Sequence, residues 1–181
     1  MTEPNANAVL EQWREQERIV RSKIAGPGVA SPHDMMGKSG LEFFQAMANG
    51  QLPIPPIGET LHFIGVEIEK GRAVFQGQPK FEHYNPIGTV HGGWIATLLD
   101  SALGCAVHSA LPAGKGYTTL ELKVNYVKAL SEKVPLVRAE GKVIHVGGRV
   151  ATADGRLVGP DGALYAHAVT TCLVFDVPGT K

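Results

Sequence analysis

The chain has 181 residues, 44% of them hydrophobic, which suits one domain with a substantial core. Lys plus Arg and Asp plus Glu both number 17, so there is no net charge and no basic stripe to hold a phosphate backbone, and nucleic acid is excluded as an expected partner. A polar start, Met-Thr-Glu-Pro, and the lack of any apolar run of about 18 residues or more argue against a signal peptide or membrane span, so a cytoplasmic protein is expected.

In chain order, residues 8–23 place Val9, Trp13 and Val20 near helical spacing among charged residues, which predicts a peripheral amphipathic helix. Gly26-Pro-Gly and Ser31-Pro end it. Ser39-Gly-Leu-Glu42 reads as a capping box that leads Leu41, Phe44 and Ala48 into a second short helix closed by Gly50. Pro53, Pro55 and Pro56 then stiffen a linker, so residues 1–58 form an expected N-terminal helical extension and residues 59–178 the main domain. From Leu61 the period changes to two, and Lys70-Gly71 turns Leu61–Glu69 back onto Arg72–Gln76 as a hairpin.

One long helix is predicted over about 91–110, followed by four β-patterned runs at 117–128, 134–146, 149–158 and 163–176. Gly147-Gly148 and Pro160-Asp-Gly162 mark turns between them. A hairpin, one apolar helix and a meander of strands imply an α+β fold, an antiparallel sheet wrapped around a central helix. Cys105 and Cys172 lie far apart with no C-x-x-C spacing and are expected to be inert core thiols.

Trp94, Ile95, Leu98, Leu99, Leu103 and Val107 run round most of the central helix, so it is expected to be buried on nearly all sides. Asp100 interrupts that apolar surface. It shares a face with Ala96, Thr97 and Gly104, small residues that leave room for something to approach the carboxylate. A carboxylate in such a place persists only if it is paired or functional. At the helix start, amides without intrahelical partners carry the positive end of the helix dipole, and Gly92 and Gly93 have no side chains to keep a substrate carbonyl away. Taken singly, these features also suit a tight strand-to-helix turn, a histidine cap at His91 and a turn at Asn85-Pro86.

Together, Asn85-x-x-Gly88-x-x-His91-Gly92-Gly93-x6-Asp100 and Thr119-Leu-Glu-Leu-Lys-Val-Asn-Tyr126 resemble the signature of the PaaI-type acyl-CoA thioesterases of the hotdog fold, in the 4-hydroxybenzoyl-CoA thioesterase-like superfamily. The resemblance spans about residues 60–176 and does not reach the extension. It implies hydrolysis of a small aryl- or medium-chain acyl-CoA. Asp100 would be the nucleophile or general base, and the Gly92 amide would polarise the thioester carbonyl. Asn85 would help hold that carbonyl or the water, and Thr119, or Thr118 if the register slips by one, would orient the carboxylate. His91 would hold the loop or assist the leaving thiolate, while Gly93 and Trp94 would lie beside the substrate. No metal or redox cofactor is implied.

Helix geometry adds a separate expectation. Eight residues place Gly92 and Asp100 about 12 Å apart along one helix and turned by roughly 80°. One chain cannot bring both to one carbonyl, so a site using both needs Asp100 of one subunit and the partner subunit's Gly92, in an isologous dimer or a dimer of dimers. Two rival readings stand beside the thioesterase: a hotdog enoyl-CoA hydratase or dehydratase using His83, and a non-catalytic acyl-CoA-binding protein.

Overall fold

The computed structural model describes residues 5–177; Met1–Pro4 and residue 178, the expected end of the main domain, lie outside the described residues. The first predicted helix is α1 (Ala6–Arg21), capped by the side chain of Asn5, which accepts the Asn7 amide. It is peripheral but anchored. Trp13 is buried beneath the Arg138 guanidinium, whose carbon lies 4.5 Å from the ring centre, and Val20 packs with Ile24 on Ile64, Val66 and Val74. Two one-turn helices, α2 (Pro32–Met35) and α4 (Ile57–Thr60), are too short to show a sequence period. Between them α3 (Gly40–Ala48) begins with the expected capping box: the Ser39 side chain accepts the Glu42 amide and the Glu42 carboxylate accepts the Ser39 amide at 2.7 Å.

The hairpin is β1 (Phe63–Glu69) and β2 (Arg72–Gly77), with Gly71 at φ 79° in its turn. After the central helix α5 (Gly92–Ser109) come β3 (Lys115–Tyr126), β4 (Val137–Val146), β5 (Val150–Val158) and β6 (Leu164–Asp176). All neighbours pair antiparallel in one sheet of order β1-β2-β4-β5-β6-β3. The meander is therefore β4-β5-β6, and β3 departs from the simple sequential order. It returns to the far edge beside β6, leaving β1 and β3 as the two edges.

The sheet curls round α5, as expected for the hotdog fold. Leu98, Leu99, Leu103 and Val107 are fully buried, and each such side chain contributes about 1.5–3 kcal/mol through removal from water. Close approach depends on two glycines that face each other across β4 and β5: a Cβ at Gly141 would come within 2.5 Å of the Ala102 carbonyl oxygen, and one at Gly155 within 2.8 Å of Leu103. No described helix is long and apolar enough to cross a membrane.

Candidate active site

A β-bulge in β3 sets the geometry around Asp100. Thr119 pairs with Cys172 and Glu121 with Thr171, so Leu120 is an extra residue and points out, 60% exposed. Inward parity therefore shifts along the strand: Tyr117 and Thr119 face α5 before the bulge, and Leu122 and Val124 join the core after it. Thr119 Oγ1 donates to Asp100 Oδ1 at 3.0 Å. Thr118 is exposed, opposite Leu173 on β6. The structure thus brings Thr119, not Thr118, to the carboxylate. The small-residue stripe is used one turn further on, where the Tyr117 ring leans over Gly104 so closely that a Cβ there would sit 2.6 Å from its hydroxyl.

Asp100 lies on the wall of a cavity of about 520 Å³, within the size range of small-molecule sites. From α5 the wall takes Thr97, Asp100, Ser101, Cys105 and His108, with Tyr117 from β3 beside them. The rest of the lining comes from β1, α3 and the linker and is mainly apolar, with Gln45 and Glu67 its polar members. Burial, and to a lesser degree the negative charge of Asp100, pushes the Cys105 thiol up to about 12, so it stays protonated at neutral pH. Burial raises the Cys172 thiol as well. Neither cysteine is a ready nucleophile, in line with the inert thiols expected. Burial holds His108 down to about 4, so it is neutral.

At the helix start, His91 is the N-cap. Its Nδ1 accepts the Gly93 amide at 2.8 Å and its own amide donates to the His83 carbonyl at 2.7 Å. Gly93 is thus satisfied internally. Among the described residues no hydrogen bond takes up the Gly92 amide, which leaves it available to an incoming oxygen. Asn85 is occupied in its own turn: Oδ1 accepts the amides of Ile87 and Thr89, both at 3.1 Å, and Nδ2 donates to Thr89 Oγ1 at 2.9 Å. One N–H of its amide group remains. Tyr126, at the end of the second motif, was not singled out by the sequence. Its hydroxyl donates to the Gly92 carbonyl at 2.9 Å, and its ring would lie 3.0 Å from any Cβ at Gly92.

Trp94, expected beside the substrate, is instead buried in the core. Its indole N–H donates to the Leu61 carbonyl at 2.8 Å, and it stacks on His83 with ring centres 5.1 Å apart. It does not line the Asp100 cavity, because Gly77 leaves it a place against the sheet. His83 likewise lies off the cavity wall. With His62 and Glu82 it forms a group whose ligand atoms lie within 4.8 Å of one another. The His83 Nδ1 accepts the Lys80 amide at 3.1 Å, which places the proton of the neutral ring on Nε2 and removes that lone pair from metal binding. Burial lowers His83, favouring the neutral ring.

Comparison with known proteins agrees with this architecture. The sequence profile of the thioesterase superfamily matches residues 87–166, which include Gly92, Asp100 and Thr119. A putative esterase of Halobacterium salinarum is 35% identical over 108 residues, 55% of this chain and 70% of that protein. A 1,4-dihydroxy-2-naphthoyl-CoA hydrolase of Listeria monocytogenes is 29% identical over 89 residues, 49% of this chain and 71% of that protein. Among solved structures, a mutant of the phenylacetic acid degradation protein PaaI from Thermus thermophilus superposes with a TM-score of 0.58 at 27% identity, covering 65% of this chain and 97% of that one. With this sheet order, this helix and these relatives, the chain belongs to the thioesterase superfamily, has the hotdog fold of its PaaI-type members and is a thioester hydrolase.

Proposed function

We propose that the substrate is an acyl-CoA and that Asp100 carries out its hydrolysis. The observation that carries this reading is the Asp100 carboxylate, held by Thr119 at 3.0 Å on the wall of a cavity of about 520 Å³ whose other side is mainly apolar. The acyl group occupies the cavity and leaves its carbonyl near the carboxylate. As general base, Asp100 takes a proton from water while the hydroxide adds to the carbonyl carbon. The resulting oxyanion is stabilised by the Gly92 amide, reinforced by the dipole of an 18-residue helix. Collapse breaks the C–S bond, and the thiolate recovers the proton. As nucleophile, Asp100 would instead form an anhydride that water opens. In a single turnover in 18O-water, general-base attack puts the label in the product acid, whereas an anhydride opened at the Asp100 carbonyl puts it in the Asp100 carboxylate; label in Asp100 therefore establishes the nucleophile.

Because Gly92 and Asp100 are eight residues apart on one helix, the donor comes from a second protomer. The free edge of β3, twelve residues long, offers the place for pairing into a dimer, with a dimer of dimers as the larger form. Asn85, with one N–H to spare, and His91, capping the donor helix, hold that end of the site. Release of free thiol from saturated acyl-CoA is the expected result. Hydration of an enoyl-CoA, or tight binding without turnover, would overturn the reading in favour of a hydratase or an acyl-CoA-binding protein.

A further inference from the structure

The superfamily profile stops short of residues 1–86, yet the cavity beside Asp100 is not complete without the first 58. Helix α3 lies against both α5 and β1, over the groove between them. Phe43, Phe44 and Met47 of α3 face the cavity, joined by Ile24, Ile54 and Ile57 from the segments on either side. Most polar groups of the lining are on α5; away from it stand Gln45 of α3, Tyr117 of β3 and Glu67 of β1, whose carboxylate is taken up by Gln16 and Arg72, so a ligand here has one polar end and a mainly apolar body. At the far end from Asp100, the rings of Phe43, Phe44 and Tyr117 gather round His108, with centres 5.7, 5.2 and 5.4 Å from its ring. His108, neutral through burial, is apolar enough to serve in that stop.

We propose that α3 is the specificity wall of the enzyme and that the cavity it closes takes a straight saturated acyl chain of medium length. The proposal rests on the Asp100 reading for which end of the ligand reacts. From Asp100 to His108 is eight helical residues, about 12 Å of rise. With C–C bonds of about 1.5 Å in zigzag, an extended chain of roughly eight to ten carbons covers that distance. Phe44 and Met47 are the residues that set the limit. They lie in the extension, outside the machinery of the reaction.

The test uses binding, so that it does not depend on turnover. Non-hydrolysable S-alkyl-CoA thioethers from butyl to hexadecyl, together with S-benzyl-CoA, are titrated calorimetrically into the full-length protein. In the wild type each added methylene should tighten binding about fourfold until the chain reaches eight to ten carbons, and then no further. S-benzyl-CoA should bind no better than S-butyl-CoA. Phe44→Ala should carry the plateau at least two carbons further, and Met47→Trp should bring it at least two carbons closer. Circular dichroism establishes that each variant is folded; should Phe44→Ala not fold, Phe44→Leu takes its place.

An affinity independent of chain length, no binding of any thioether, or a plateau that stays put in folded variants would each overturn the assignment of α3. A benzyl compound that outbinds the octyl one would do the same in favour of an aryl substrate. Failure of the catalytic reading looks different: the chain-length series would behave as described, but Asp100→Asn would still release thiol from octanoyl-CoA.

Discussion

The two ends of α5 are built for opposite purposes. At its start the backbone is exposed: Gly93 is exposed, His91 caps from the surface, Tyr126 leans over Gly92, and one amide has no partner. At its far end the helix is closed in: Ala106 and Val107 are inaccessible, Tyr117 fills the hollow over Gly104, and three rings meet at His108. Asp100 stands between, with one side on a hydroxyl and the other on the cavity. An open dipole end serves transient negative charge, whereas a dry, tightly packed end serves an apolar body that must be held in one place. On the proposed mechanism a single helix would supply the donor for one site and the carboxylate and acyl wall for another.

The largest expected effect is at the middle of the helix. Asp100→Asn keeps the shape and one acceptor for Thr119 but removes the proton acceptor, and kcat should fall on the order of 10²-fold or more with little change in KM. Steady-state thiol release measures it, and a variant that keeps most of its kcat would show that the carboxylate is only structural. Thr119→Ala should cost less, because Thr119 orients Asp100 and does not react.

The division between the two ends can be tested by separating them. Asp100→Ala damages the middle, and Gly92→Pro removes the amide at the first helical position, where proline is tolerated and the exposed Tyr126 ring can yield. Each variant should be inactive alone. After co-refolding, about half the dimers are mixed, and two-fold symmetry collects both lesions in one site and leaves the other intact, so about a quarter of wild-type activity should return. Mixed dimers confirmed by native mass spectrometry but without activity would mean that the Gly92 amide and Asp100 do not meet across an interface.

Much of this was legible in the sequence wherever the cause is local. The ends of α5 follow from a histidine cap, a Gly-Gly pair and an apolar pattern that Asp100 interrupts, and the capping box at Ser39 and Glu42 fixes the start of α3 through hydrogen bonds three residues apart. What the sequence could not show is set by distant partners. The place of β3 beside β6 is decided by pairing across about 50 residues, so order along the chain suggested a simple meander. The choice of Thr119 over Thr118 depends on parity, and the bulge at Leu120 that fixes parity has no local mark. Trp94 is expected beside the substrate, but the space under Gly77 draws it into the core. The cavity itself has no motif, since its wall gathers isolated apolar residues from the extension and from β1.

The packed end also predicts a stability effect. Gly104→Ala improves helix propensity by about 1 kcal/mol, yet the new methyl would meet the Tyr117 ring at 2.6–3.1 Å. Overpacking of this kind costs about 1–3 kcal/mol. Because Tyr117 is fixed on a paired strand among other rings, the clash should win, and urea unfolding should show a net loss of about 1 kcal/mol. A more stable variant would mean that the far end of α5 is looser than its contacts indicate.

The dry end is also distinguished by its response to acid. Burial holds His108 at about 4 in the folded protein, against 6.5 for an ordinary histidine. Between those values the unfolded chain binds a proton that the folded one refuses, so stability is complete above about pH 6.5 and falls as the pH drops toward 4. The slope from this one group is at most about 1.4 kcal/mol per pH unit. His83, also lowered by burial, acts in the same direction, so the wild-type slope alone does not identify its source. His108→Phe keeps a ring against Phe43, Phe44 and Tyr117 but removes the titration, and the difference between the two proteins isolates His108. Urea unfolding at pH 7.5 and 5.0 should show the wild type losing more stability than the variant over that interval. Equal losses would mean that water reaches the His108 ring and that the acyl end of the helix is not dry.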